Sequence, residues 1–165
     1  MNSKWQDFRL CLNIDSDIPT LYNLWTTRAG LNSWFLRTAN FYTEKGQLRA
    51  EDDNAKAGDH FLWHWHGHSD DEKEEKQVIE ANGVDRFAFR FSGNCLVSVR
   101  LFTQNQVTFV ELIQSEIPWN EDPKKNLHVQ CSVGWTFYMS NLKSVVEAGI
   151  DLRNKRLDVQ GVISC

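Results

Sequence analysis

Residues 134–149, from Gly134-Trp135 to Ala148-Gly149, constrain this chain more than any other segment. Apolar side chains recur there at helical spacing, which predicts one long helix over about residues 124–148. Gly149 stands where a left-handed residue would end it. On a helical wheel His128, Cys131, Trp135, Tyr138, Met139, Leu142, Val145 and Val146 share one face. So broad an aromatic face needs a wide surface to lie against. The preceding sequence is rich in strands and can supply it. The pairing suggests a curved sheet gripping a helix, a shape able to enclose an apolar ligand. His128 and Tyr138 bring polar tips to this face, and a buried polar tip needs a partner. A backbone carbonyl, a water or a ligand could each serve. Phe137 and Val133 fall on the opposite side, to be covered by the tail or left as a small exposed patch.

Upstream, Phe8, Leu10, Leu12 and Ile14 alternate with polar residues and predict a half-buried first strand. Ser16, Asp17 and Pro19 signal a helix start. Leu21, Leu24 and Trp25 follow at helical spacing. Ala29-Gly30 is expected to break this helix, with Leu31, Trp34 and Phe35 in a second short one. Short strands are expected over residues 41–44 and 47–50, then a polar turn over 51–58. An alternating strand spans 60–68, and another covers 75–81 before the hairpin signal Asn82-Gly83. Phe87, Phe89 and Phe91 alternate in the next strand. A final hairpin joins residues 95–103 and 107–115, and residues 117–125 form a loop. Strands in a run followed by a helix imply α+β architecture.

The chain has 165 residues, which fits one domain with a full core. A formal charge of -4 without a Lys/Arg run argues against nucleic acid. The N-terminal residues carry no apolar signal region, and no apolar run is long enough for a membrane span. Cys11, Cys95, Cys131 and Cys165 are far apart and read as reduced thiols in a cytoplasmic protein. Aromatic residues make up 12% of the chain, which points to a core, or a cavity wall, of large flat side chains.

Three places invite a chemical reading. His60, His64, His66 and His68 point one way along a strand, and Phe61, Trp63 and Trp65 the other. The histidine row reads as a solvent-facing edge. Zinc is the alternative, without a local Cys or well-placed acid to complete a tetrahedral site. The acidic run of residues 70–75 reads as a solvated hairpin end. Glu111 lies in phase with Phe109 and Ile113 and would be an inward acid if that face lined a cavity. No GxSxG, P-loop, GxGxxG or HExxH motif is present.

The order of elements resembles the helix-grip fold of the START and birch-pollen-allergen (SRPBCC) superfamily. Three segments carry the resemblance. Trp25-Thr26 through Leu31 to Trp34-Phe35 is similar to the group's W-T-x-x-x-x-L-x-x-W-F segment. Gly58-Asp59-His60-Phe61-Leu62-Trp63-His64-Trp65 is similar to its G-D-x-(aromatic)-x-W-x-W strand. Gly134-Trp135 through Leu142-Lys143 to Glu147-Ala148-Gly149 is similar to its terminal helix. Together they resemble the branch named for the activator of the heat-shock protein 90 ATPase, in its single-domain bacterial form. The eukaryotic co-chaperone's separate N-terminal domain has no counterpart here.

The resemblance implies an α+β helix-grip fold: an antiparallel sheet of six to seven strands around a C-terminal helix. It implies a cavity for a lipid- or polyketide-like molecule, with Trp34, Trp63, Trp65 and Trp135 contributing to the walls. His128 and Tyr138 are the polar anchors suggested by the wheel, and Met139 joins them from the same face. Residues 1–153 are expected to form the domain and 154–165 a tail. The expected function is non-enzymatic binding of a small hydrophobic molecule by a monomer, with no cofactor, metal, nucleic acid or membrane insertion. A protein-interaction module with co-chaperone character is one alternative. A cyclase- or hydrolase-like enzyme using His128, Tyr138 or Glu111 as acid and base is another.

Overall fold

A computed structural model describes residues 5–159 and 161–163; Cys165 lies outside the described residues. Strand β1 (Phe8–Asn13) alternates half-buried and exposed residues, as its pattern predicts. Helix α1 (Ile18–Thr26) starts at Asp17, whose carboxylate accepts from Thr20 N at 2.7 Å. Helix α2 (Arg28–Trp34) follows after a single residue.

The break between these helices is Thr27, not Ala29-Gly30. Thr27 is extended, and its hydroxyl accepts from Gly30 N at 2.9 Å, capping α2. Gly30 sits inside α2 for a steric reason. A Cβ there would lie 2.7 Å from Leu24 Cα and closer still to Asn23 O, so glycine lets α2 pack against the end of α1.

Strands β2 (Thr38–Tyr42), β3 (His60–His64), β4 (Lys73–Ala81), β5 (Arg86–Phe91), β6 (Cys95–Gln104) and β7 (Val107–Ser115) complete one antiparallel sheet. Its order is β1-β7-β6-β5-β4-β3-β2, with β1 and β2 at the edges. The expected strand over 47–50 is reduced to one bridge, Leu48 to Tyr42. Strand β3 stops at His64, so the two-residue alternation does not carry through to His66 and His68. Strand β4 begins two residues earlier than expected and carries an irregularity between Val78 and Glu80. At the β6–β7 turn Asn105 and Gln106 both have positive φ, which suits a two-residue hairpin.

Helix α3 (Leu127–Ala148) starts three residues later than expected. Asn126 caps it by accepting from His128 N and Val129 N, and Gly149 ends it at φ 68°. Cys131, Trp135, Tyr138, Met139 and Leu142 are buried, as the wheel indicates. Asn141 is fully buried too. It donates to Trp34 O at 2.6 Å and accepts from Leu152 N at 2.7 Å, tying α3 to α2 and to the segment beyond Gly149. Val133 is exposed, whereas Phe137 is half-buried against Tyr138.

The sheet's inner face supplies the rest of the core. Val78, Phe89, Val97, Gln114 and Phe8 lie in register across β4, β5, β6, β7 and β1. Trp25, Trp34, Trp63, Phe35, Phe41 and Phe61 are almost wholly buried. Each such ring contributes about 1.5–3 kcal/mol by leaving water.

Candidate ligand-binding site

At one end of the core the packing opens into a cavity of about 440 Å³. Its aromatic walls come from four places in the sequence. Phe35 closes α2, Trp65 follows β3, Phe91 ends β5, and Trp135 and Tyr138 project from α3. These five rings pack on one another. Phe35 meets Trp65 at 5.8 Å, Trp135 at 5.0 Å and Tyr138 at 4.8 Å between centroids, and Phe91 meets Trp135 at 5.3 Å. Gly134 also faces the cavity, and a Cβ at that position would meet nothing within 4 Å.

The polar groups are few. Glu74 reaches the cavity because it pairs with Trp63 across β3 and β4, and Trp63 faces the interior. Its carboxylate accepts from Ser92 Oγ at 3.0 Å. Burial pushes the Glu74 carboxyl above its ordinary range, opposed by the Ser92 hydroxyl and the more distant charge of Lys76. Cys131 lines the cavity beside them. Burial raises its thiol, with an amide contact from Gln114 working the other way. Gln114 is fully buried: its Oε1 accepts from Trp135 Nε1 at 2.9 Å, while its Nε2 has no conventional partner and lies against the Cys95 and Cys131 thiols. At the rim His68 Nδ1 lies 2.6 Å from a carboxylate oxygen of Glu72.

Of the residues expected at a ligand site, Trp65, Trp135 and Tyr138 come together at the cavity. Trp34, Trp63 and Met139 are buried in the core outside its lining. Trp34 donates its indole N–H to Leu24 O at 2.9 Å, and Trp63 stacks on Phe61 at 3.8 Å. His128 turns towards the N-terminal segment instead. Its Nε2 bonds Asp7 O at 3.0 Å, and its ring packs edge-on against Trp5 and Phe8.

Glu111 is buried but on the sheet's outer face, where Arg9 and Arg100 hold its two oxygens at 2.5 and 3.0 Å. Its neighbours Val110 and Leu112 take the inner positions. His128, Tyr138 and Glu111 are therefore not assembled as one acid–base group. Among the described residues, no cluster of three or more His, Cys, Asp or Glu could hold a metal ion. Nor does any helix among them have the length and apolarity to cross a membrane.

The sequence reading missed Glu74, Ser92, Phe91 and Gly134. The signal for Glu74 was its two-residue phase with Val78, hidden by its place in an acidic run.

An antiparallel sheet closed on a long C-terminal helix, with an aromatic cavity under that helix, defines a helix-grip protein. This chain belongs to the family described as Activator of Hsp90 ATPase homolog 1-like protein, whose model matches residues 15–147. Solved structures share the fold. The Aha1 dimer from Colwellia psychrerythraea is 17% identical with a TM-score of 0.66, over 87% of this chain and 97% of that one. An HSP90 activator from Plasmodium falciparum is 16% identical with a TM-score of 0.60, over 85% and 95%. DynU16, a putative protein of the dynemicin biosynthetic locus, is 15% identical with a TM-score of 0.69, over 91% of this chain and 50% of that one. No curated protein matches the sequence. At such identities the likeness speaks for the fold and leaves activity to the site.

Proposed function

We propose that this chain binds a small, largely apolar molecule in the cavity beneath α3, without chemistry of its own. The observation that carries this reading is the unfilled volume of about 440 Å³ among five aromatic rings. Cavities that hold small molecules run from about 300 to 1,000 Å³ and pair apolar walls with a few fixed polar groups. Elsewhere the core is filled by tryptophan and phenylalanine, and protein interiors leave few voids larger than a water. Gly134 supports the reading, because a glycine in mid-helix costs about 1 kcal/mol relative to alanine. Here it keeps bulk out of the cavity.

The raised Cys131 thiol stays protonated near neutrality and is a poor nucleophile, in keeping with binding rather than catalysis. Residues 1–153 are the unit to which we assign binding, and the free thiols Cys11, Cys95 and Cys131 suit a reducing cytoplasm. A protein-docking role has one observation in its favour, the exposed pair Val129 and Val133 one turn apart on α3. Loss of a partner on Val133→Asp, with the cavity intact, would support it.

The cavity reading is tested with an uncharged fluorophore, N-phenyl-1-naphthylamine. Wild-type protein should enhance its emission and show quenched tryptophan fluorescence. Gly134→Leu should abolish both while melting no lower than wild type. Equal binding by the two proteins, or none by wild type, would overturn the reading.

A further inference from the structure

The cavity joins two features that the binding of an apolar body alone does not need. One is a ring of aromatic faces: Phe35, Trp65, Phe91, Trp135 and Tyr138. The other is a half-buried carboxylate set among them, Glu74, with a second, Glu72, at the rim. Glu74 is held by Ser92 Oγ, and among the described residues no Lys, Arg or His nitrogen comes within ion-pair distance of it. Lys76, the cation that acts on it, lies two residues along β4 and does not line the cavity, while Lys73 reaches the rim from the neighbouring, exposed position of β4 without pairing with Glu74. At the rim His68 is taken by Glu72. Among the described residues the two buried acids each have an arginine, Glu111 with Arg9 and Arg100 and Asp59 with Arg49, whereas half-buried Glu74 has none.

We propose that the molecule bound in this cavity carries a positive charge, as an amine or quaternary ammonium head on an apolar body, with Glu74 as its counter-ion. This rests on the cavity being a ligand site. The chemistry is complementary on both counts. Aromatic faces present negative charge to a cation, and desolvation strengthens that attraction. A carboxylate partly removed from water and held by one hydroxyl alone is costly, and an incoming cation supplies the opposite charge it lacks. A neutral ligand would leave Glu74 as it stands. An anionic one would be repelled by Glu74 and Glu72 together.

Three probes share one apolar body: 4-phenylbutyl-trimethylammonium, its uncharged isostere with a tert-butyl group, and 5-phenylpentanoate. Calorimetry on the intact protein at mildly alkaline pH should show the ammonium binding at least about tenfold tighter than the neutral probe, as expected of a desolvated cation–π site. The carboxylate should bind weakest. In Glu74→Gln the ammonium's advantage should fall to about twofold, with the neutral probe unchanged, which also shows that the variant is folded. In Trp65→Leu the ammonium should lose more affinity than the neutral probe. If the neutral probe binds as tightly as the ammonium in wild type, the charge proposal fails and the cavity reading stands. If no probe binds, the cavity reading fails and takes the proposal with it.

Discussion

Glu74 occupies its position at a cost in stability. Burial raises its carboxyl above the ordinary value, so between the unfolded and folded pKa the unfolded chain binds fewer protons. Stability from this group therefore falls as pH rises through that interval. Ser92, Lys76, Cys131 and the rim groups His68, Glu72 and Lys73 surround it, and none removes the penalty. Glu74→Gln keeps the acceptor for Ser92 and removes the charge. It should melt higher than wild type at neutral pH and no higher in acid, checked by thermal melts across the range. Equal shifts at both ends would mean that charge is not the cause. Arg153 presents the opposite balance. It is 7% exposed and donates to Leu36 O, Asn32 O and Ser33 O, the carbonyls left open at the end of α2, as well as to Asp151. Burial would raise the Asp151 carboxyl, but hydrogen bonds from Arg153 and Lys155 outweigh it and hold it well below its usual range. The stabilisation is present above the unfolded pKa and is lost only as pH falls through the lower folded value. Arg153→Ala should cost about 2–4 kcal/mol in urea melts, because it strands carbonyls and Asp151 together. A lysine ammonium cannot restore the planar fork, so Arg153→Lys should recover less than half of that.

Two glycines separate the conformational from the steric reason for that residue. Gly149 adopts φ 68° at the end of α3, and a Cβ there would meet nothing. Gly149→Ala should cost about 1 kcal/mol, from left-handed backbone alone. Gly30 lies within α2 and is enclosed by Asn23, Leu24 and Thr27. Gly30→Ala forces backbone apart and should cost more, about 2–3 kcal/mol, in the range of overpacked cores. Chemical denaturation that ranked the two the other way would put the strain in the wrong helix. These sites also show how far elements are legible in sequence. Gly149 is visible because an apolar period ends beside it. The α1–α2 break is misread at Gly30 because glycine also serves close packing, which only the fold displays. The strands of the β5–β6–β7 meander are legible from alternation, since one face packs into the core, although Ala88 and Glu111 are buried on the other face as well. The strand expected at 47–50 is cut to the Leu48–Tyr42 bridge, flanked by bonds from Thr43 N to Gln47 O and from Arg49 N to Phe41 O, and pairs no further.

At the scale of the whole molecule, core and cavity are built from the same residue types, and that is why the site was only partly legible. Trp63 and Trp65 are two residues apart and point to the same side, so no sequence pattern distinguishes them. Trp63 lies inside β3 and is fully buried between Phe61 and Phe89. Trp65 falls after the strand ends, touches Phe35 and Phe91, and keeps one side on the cavity. The end of β3, set by where pairing with β2 and β4 stops, turns one tryptophan into core and the next into wall. Removing each should then have different consequences. Trp63→Ala empties a closed volume and should cost about 3–5 kcal/mol. Trp63→Phe should cost far less, because the indole N–H has no partner to lose. Trp65→Ala only widens a space that already exists, and should cost about 1–2 kcal/mol while abolishing binding of the uncharged fluorophore. Urea melts and fluorophore titrations on the three variants measure both quantities. If Trp65→Ala unfolds the protein as readily as Trp63→Ala, the cavity wall is part of the core, and the separation of scaffold from site does not hold.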